Sequence, residues 1–331
     1  MRRALPALCA QLRDGDELIV VDNGSSDGTA PAVREVAPRA TVIEPGSNLG
    51  FGAGCNRGAE YASGDVLLFL NPDATPAAGF REAIERPLAD GRGWAAWQGL
   101  VTKDAGRTVN TRGGIVHFSG IAWAGGLGEP LTGEIPRGEP GFVSGACFAI
   151  PRTRFSELGG FAEELFLYHE DVDLSLRLRL AGGRLGVEPA ARVDHEYEFE
   201  KGAAKWRHLE RNRWATIVRT YPGPLFAALV PALVATELAL VPVSIAGGWF
   251  VQKAASWSDL VRWFPRLLRE RREVQAAKSA RPGEFAEGLS AELDSPYLGG
   301  LARSRALRAA LRAYWSLVLA LLGGARSASV D

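Results

Sequence analysis

The sequence predicts an α/β domain, a mostly parallel sheet with helices on both faces, followed by a helical region rich in apolar and basic residues. Three observations predict it. From about residue 16 to residue 186, short β-rich runs alternate with helix-period segments, the pattern of a sheet covered by helices. The polar residues with chemical character fall directly after those runs, where ligands gather in such sheets. Beyond Pro222 the composition turns to long apolar and arginine-rich stretches. The expected division is therefore 1–220 for the α/β domain and 221–331 for the helical region.

The strand runs are LIVV (18–21), TVIE (41–44), VLLFL (66–70), FVSGACFAI (142–150) and a weaker LGVEP (185–189). Helices are expected between them at about 29–37, 52–62, 76–89, 151–158 and 170–181. Residues 91–140 are rich in Gly and Pro, carry Trp94, Trp97 and Trp123, and read as irregular strands and loops shaping one wall of a pocket. Residues 225–250 form an apolar run of 26 residues with one charge, Glu237, long enough to span a bilayer. Pro231, Pro242, the central Glu237 and basic residues on both flanks favour a kinked interfacial or re-entrant segment instead. Residues 257–274 and 301–324 are arginine-rich helices with aromatics, as found on anionic lipid, or else a helical subdomain packed on the core.

At 331 residues and 47% apolar content the chain can bury a full core, which excludes a disordered protein. The formal charge of zero hides a split, since residues 1–200 carry 19 Lys/Arg against 28 Asp/Glu and residues 201–331 carry 19 against 10. An acidic first part suits cation-assisted chemistry, and a basic second part suits an anionic surface; both also fit ordinary solvated faces. Three cysteines without C-x-x-C spacing indicate neither a disulfide framework nor a zinc ribbon and suit a reducing, cytosolic compartment. The apolar stretch after Met1 is broken at Arg13 and Asp14, so no export signal is expected, and no nucleic-acid partner is expected either.

Five constellations carry chemistry. Asn71-Pro72-Asp73 follows the strand VLLFL, where the Asp73 carboxylate can hold a divalent cation, Mg²⁺ or Mn²⁺, that bridges two phosphates; Asn-Pro-Asp is also ordinary turn chemistry. Glu170, Asp171 and Asp173 open a helix, a position the helix dipole favours for acids whatever their role. The functional reading makes Asp171 a general base for an acceptor hydroxyl, while Asp173 pairs with Arg177 four residues on. His195 either pairs with Asp194 or Glu196 or joins Asp73 as a metal ligand. In VVDNGSSDGT, Asp22 and Asn23 end a strand; the Asn amide, with donor and acceptor, matches a uracil or thymine edge, or the segment is an Asx turn with Asp27 capping the next helix. The loop SNLGFGAGCNRGAE (47–60), with Asn48, Gly50 and Asn56, enters a helix whose free N–H groups suit phosphate or ribose. Cys55 stands where a dinucleotide fingerprint needs glycine, and no P-loop motif occurs.

Taken in order, VVDNGSSDGT, N-x-G-F-x-x-G-x-N-R-G (48–58), LFLNPDA, SGACFAIPR, GGF-x-E-x-x-F-x-Y-x-EDVDLSLR, His195 and Glu210-Arg211-Asn212 resemble family 2 glycosyltransferases of GT-A fold, in particular the bacterial rhamnosyltransferase-like branch of cell-wall and polysaccharide synthesis. The resemblance covers about residues 16–220. It implies an inverting transfer from a dTDP- or UDP-sugar to a saccharide or polyprenyl-linked acceptor at the cytoplasmic side of the plasma membrane. It maps the metal-binding D-x-D onto the NPD turn, with Asn71 in place of one carboxylate, the base onto Asp171, a third metal ligand onto His195, and a diphosphate- or acceptor-closing region onto Arg211. Relatives begin with a central strand that this sequence lacks, so an upstream start, or a truncated copy with impaired donor binding, is expected. A nucleotidyltransferase of similar fold and an inactive membrane-associated scaffold are the competing readings.

Overall fold

The computed structural model describes residues 1–195, 202–294 and 304–323. It divides into two compact units, the first comprising 1–114, 124–178 and 183–195, the second 115–123, 179–182, 202–294 and 304–323. The helix that follows residue 204 folds with the second unit.

In the first unit the elements appear in the expected order, with one large addition. Helix α1 (Ala4–Cys9) leads to β1 (Ile19–Val21), α2 (Thr29–Val36), β2 (Thr41–Ile43), α3 (Phe51–Ala59), β3 (Val66–Leu70), β4 (Ala74–Pro76) and α4 (Phe80–Ala89). The addition is β5 (Trp94–Lys103), a ten-residue strand in the stretch expected to be irregular, followed by β6 (Thr108–Thr111). Short strands β7 (Gly114–Val116) and β8 (Ala122–Ala124), mostly of the second unit, pair with each other, and in the first unit β9 (Cys147–Pro151), α5 (Arg152–Glu157), α6 (Glu170–Leu180) and β10 (Arg184–His195) follow.

The main sheet is ordered β3-β9-β5-β10-β4, with β6 on β5. Strand β5 is parallel to β10, whereas β9 is antiparallel to both β3 and β5, so β3, β5 and β10 run one way and β9 the other. The period of two along β9 supplies both cores. Cys147 and Ala149 join Trp97, Val101, Phe80 and Ile84 on the α4 side. Phe148 and Ile150 join Phe155, Phe161 and Leu174 on the α5–α6 side. Trp97 is fully buried and its indole N–H donates to the Ile84 carbonyl at 2.7 Å, which ties β5 to α4. Strands β1 and β2 form a separate parallel pair, backed by Leu5, Val33 and Ala37, and no pairing joins β1 to β3 among the described residues.

The second unit is helical: α7 (Lys205–Thr220), α8 (Gly223–Ala246), α9 (Phe250–Ala276), α10 (Pro282–Ala286) and α11 (Arg305–Leu321). Helix α8 runs on through Pro231 and Pro242. Its buried seam is Leu225, Leu229, Leu233, Leu240 and Ser244, at helical spacing. Beside that seam lies Glu237, the centre of a charge cluster drawn from three helices. Arg213 of α7 bonds both Glu237 (2.6 Å) and Glu210 (3.0 Å), and Lys253 of α9 bonds both as well (2.7 and 2.6 Å). The indoles of Trp214 and Trp257 donate to the same Glu237 carboxylate at 3.0 and 2.6 Å. Burial alone would raise the Glu237 carboxyl; the two cations and the indole donors outweigh it and hold it at about 2.

Candidate active site

The NPD turn, the acidic helix and His195 meet at one end of the main sheet. Strand β3 ends opposite Cys147, and the next amide, Asn71 N–H, donates to the Ala146 carbonyl at 3.0 Å. The adjacent Gly145 N–H donates to Asp171 Oδ2 at 2.9 Å. One short segment before β9 therefore holds both the turn that carries Asp73 and the helix mouth that carries Asp171. From the other side, β4 pairs antiparallel with the end of β10, with His195 opposite Ala74. That register sets His195 Nε2 3.0 Å from Asp73 Oδ1. The imidazole is almost buried, while the Asp73 side chain is 56% exposed.

Of the alternatives for His195, Asp194 is committed elsewhere, accepting from Thr102 Oγ1 (3.0 Å) and Gly106 N–H (2.8 Å), and Glu196 lies outside the described residues. Asn110 Nδ2 donates to the His195 carbonyl at 3.1 Å and steadies the strand end. Burial works against ionisation of Asp73, yet the bond to His195 and its charge hold the carboxyl below the usual range. Two ligands of a small octahedral cation at about 2.1 Å and at right angles lie about 3.0 Å apart, so the Asp73–His195 spacing suits chelation. Among the described residues no group of three or more His, Cys, Asp and Glu side chains forms a metal cage. These two donors fit a cation that takes its remaining ligands from diphosphate and water, as Mg²⁺ does in nucleotide sites.

Asp171 differs in every respect. Its oxygens accept from the Gly145 and Val172 amides at 2.9 and 2.8 Å, and burial outweighs those bonds, so its carboxyl is raised. Its neighbour Glu170, 7% exposed, is pushed up to about 8 by burial and by the Asp171 charge. A basic, positioned carboxylate is what proton abstraction from a hydroxyl requires. The approach to this helix is strained: Phe166, Tyr168 and His169 all have positive φ, at 61°, 69° and 68°. Asp173 has the structural task expected of it, since Arg177 Nε donates to it at 2.7 Å while the rest of the guanidinium bonds the Leu158 and Gly160 carbonyls.

Several residues expected to contact a nucleotide are hydrogen-bonded within the protein. The Asn23 amide is bonded at both ends: Nδ2 donates to the Gly50 carbonyl (2.9 Å) and Asn48 Oδ1 (3.2 Å), and Oδ1 accepts from Leu49 N–H (2.8 Å). Asn48 Oδ1 also accepts from Gly50 N–H at 2.9 Å, closing the loop on itself. Asn56 grips the Phe161 backbone at both ends of its amide and donates to Glu163, which occupies it away from a ligand. Gly50, at φ 87°, is there for close approach, because a Cβ would lie 2.5 Å from the Phe166 carbonyl oxygen. Asp22 accepts from Ser25 N–H, three residues on, at 2.9 Å, and the Asx turn is at Asp27, which accepts from Thr29 N–H at 3.1 Å; the N-cap of α2 is Gly28 rather than Asp27, with no side-chain capping bond. Arg211 belongs to the second unit, where it lies over the Trp263 ring and donates to Asn212 Oδ1. An open cleft of about 450 Å³ beside α3, lined by Leu49, Ala53, Arg57, Glu60, Glu163 and Glu164, contains none of Asp73, Asp171 and His195.

Sequence reasoning missed Gln98 and Gly145. Gln98, fully buried in β5, accepts from Ser144 N–H at 2.9 Å and so fixes the segment that presents Gly145 to Asp171. A lone Gln inside the apolar run WAAWQGLV was the available signal.

A mixed sheet covered by helices, with its polar residues at the strand ends, is the fold of GT-A glycosyltransferases. Residues 1–159, just under half of the chain, match the family described as Glycosyl transferase family 2. It is 29% identical over 247 residues to the N-acetylglucosaminyl-diphospho-decaprenol L-rhamnosyltransferase of Mycobacterium tuberculosis, covering 66% of this chain and 78% of that protein. It is 28% identical over 201 residues to the pre-mycofactocin glycosyltransferase of the same species, covering 59% of this chain but only 40% of that one. The fold is similar to the crystal structure of GalNAc-T7 with UDP, GalNAc and Mn²⁺, with a TM-score of 0.56 at 18% identity, over 85% of this chain and about half (52%) of that one. It is also similar to S. aureus TarS 1-349, with a TM-score of 0.51 at 15% identity, over 97% of this chain and 86% of that one.

Proposed function

We propose that the protein is an inverting transferase that moves rhamnose or a related hexose from a dTDP- or UDP-sugar onto a saccharide or polyprenyl-linked acceptor in cell-wall or polysaccharide synthesis, at the cytoplasmic side of the plasma membrane. The observation that carries this reading is the docking of the Asp73 turn and the Asp171 helix mouth on the single segment 145–146. The mycobacterial rhamnosyltransferase similarity supports the donor and the polyprenyl acceptor.

In this mechanism Asp171, raised by burial and oriented by the Gly145 amide, takes the proton of the acceptor hydroxyl. The oxygen forms its bond to the anomeric carbon on the face opposite the diphosphate, whose bond to that carbon breaks, so configuration inverts. Asp73 and His195 would hold Mg²⁺ or Mn²⁺; a bound cation supplies charge neutralisation at the departing diphosphate. Asn23, Asn48 and Gly50 keep the loop that borders the donor in one shape.

The test is transfer from radiolabelled dTDP-rhamnose and UDP-sugars to polyprenyl-diphospho-N-acetylglucosamine, with donor hydrolysis measured alongside. Acceptor-dependent product with inverted configuration is expected. Nucleotide exchange without glycosyl transfer would show a nucleotidyltransferase instead, and failure to bind any sugar nucleotide would leave a scaffold.

A further inference from the structure

Helix α8 is apolar on both of its faces. Its seam packs in the helical unit, but the opposite face exposes Val230, Val234, Leu238 and Ile245, 43–67% accessible and spaced four, four and seven residues apart. No charged residue interrupts that face, because the only charged residue of the helix, Glu237, belongs to the inner cluster. Only 17% of its most apolar stretch is buried. A helix surface of this kind in water is a docking face. Helix α11 touches α8, with Tyr314 Oη donating to the Ala228 carbonyl at 2.5 Å, and it too exposes apolar residues, Leu317 and Leu321.

Length and hydropathy alone would let α8 cross a bilayer. The cluster argues against it. Glu237 sits near the middle of α8 and is bonded to Arg213 and Trp214 of α7 and to Lys253 and Trp257 of α9. A crossing would carry Glu237 to the bilayer centre and either strip it of those partners or drag the charged helices α7 and α9 into hydrocarbon. Lying in the interface, α8 keeps every partner and still removes its outer face from water.

The available charge selects the kind of surface. Helix α9 exposes Val261, Phe264 and Leu268 among exposed arginines 262, 269 and 272, and residues 201–331 hold 19 Lys/Arg against 10 Asp/Glu. Apolar residues interleaved with arginine fit an anionic lipid headgroup layer better than a neutral one.

We infer that the helical unit embeds in one leaflet of an anionic bilayer through the outer face of α8, lying in the membrane surface without crossing it, with the Glu210–Arg213–Glu237–Lys253 cluster holding α8 to the protein side. The inference deepens the membrane assignment made above and rests on it for its setting alone.

The experiment uses the full chain and vesicles of phosphatidylcholine with or without equal phosphatidylglycerol. Flotation with the anionic vesicles, at least tenfold weaker binding to neutral ones, and release by alkaline carbonate are expected. The double variant Val234→Glu/Leu238→Glu, at exposed positions, should keep the parent melting temperature and lose vesicle binding at least tenfold. Resistance to carbonate would show a spanning helix and overturn the inference. So would equal binding to neutral vesicles, unchanged binding by the variant, or a self-association through this face that leaves vesicles unbound. Transfer to a soluble acceptor analogue, measured in parallel, keeps the two readings apart: activity without vesicle binding sinks only the embedding, and vesicle binding without activity sinks only the transferase assignment.

Discussion

Each unit holds a pair of glutamate or aspartate carboxylates, one buried and one partly buried, and the two pairs are set in opposite directions. Glu170 and Asp171 lie at the mouth of α6 with backbone amides as the donors to Asp171, and both carboxyls are raised. Glu210 and Glu237 lie among α7, α8 and α9 with Arg213 and Lys253 between them, and both are lowered. Burial opposes ionisation in all four. The difference is the counter-charge, and it separates a carboxylate able to accept a proton from one that holds helices together.

The sharpest way to break this contrast is at Asp171. Asp171→Asn removes the base without adding volume, and turnover should fall about 10²–10⁴-fold while calorimetric donor binding stays near that of the parent. Retained turnover would remove the base from Asp171. The matching change in the other cluster is Lys253→Met, which leaves Glu210 and Glu237 short of a buried partner. Unfolding in urea should show a loss of about 3–5 kcal/mol, the cost of breaking a buried ion pair from one side, with no specific effect on chemistry beyond the fraction folded.

Acidity separates the pairs without mutation. The lowered Glu237 contributes stability above the ordinary glutamate range that is lost as pH falls from about 4.5 toward 2, whereas the raised Glu170 contributes stability at low pH that is lost as pH rises toward about 8. Urea midpoints across pH 3–8 should therefore respond in opposite senses to Glu237→Gln, which weakens the chain at neutral pH, and Glu170→Gln, which flattens the decline between pH 5 and 8. A Glu170→Gln curve parallel to the parent would show that Glu170 is ionised throughout. At the proposed metal pair, His195→Ala should raise the Mg²⁺ or Mn²⁺ concentration for half-maximal transfer by about tenfold or more; an unchanged titration would take His195 out of the ligand set. The smallest effect is expected at Gly50→Ala, where a Cβ meets the Phe166 carbonyl at a positive φ. A loss of about 1–3 kcal/mol, read by thermal melting, is the expected outcome.

What could be read from the sequence follows physical range. The apolar runs at 18–21, 41–44 and 66–70 mark strands because their burial signal is local, and the helices between them come out within a few residues. Strand β5 escaped, since its Trp and Gly content masks a strand whose partners β9 and β10 lie about 50 and 90 residues away. Asp73 and Asp171 were legible as candidates from their places at a strand end and a helix start. The choice of His195 over a pairing with Asp194 was not, because it depends on the β4–β10 register. The bonds of Asn23 and Asn56 were hidden for the same reason: their amides meet backbone groups brought close only by the fold. The cluster around Glu237 draws on three helices, so a lone acid in an apolar run gave no hint of its four bonding partners.

The left-handed residues at 166, 168 and 169 bear on any attempt to exchange parts between relatives. The acid-bearing helix is launched from a stretch wound against the natural hand of an L-peptide, and Phe51 N–H donates to its Phe166 carbonyl at 2.8 Å. A graft that trims or lengthens this stretch by one residue would let it relax and would swing the carboxylate off its line. Chimeras made to change sugar preference should therefore be joined outside 161–171, with the whole launch segment travelling together with the helix it aims.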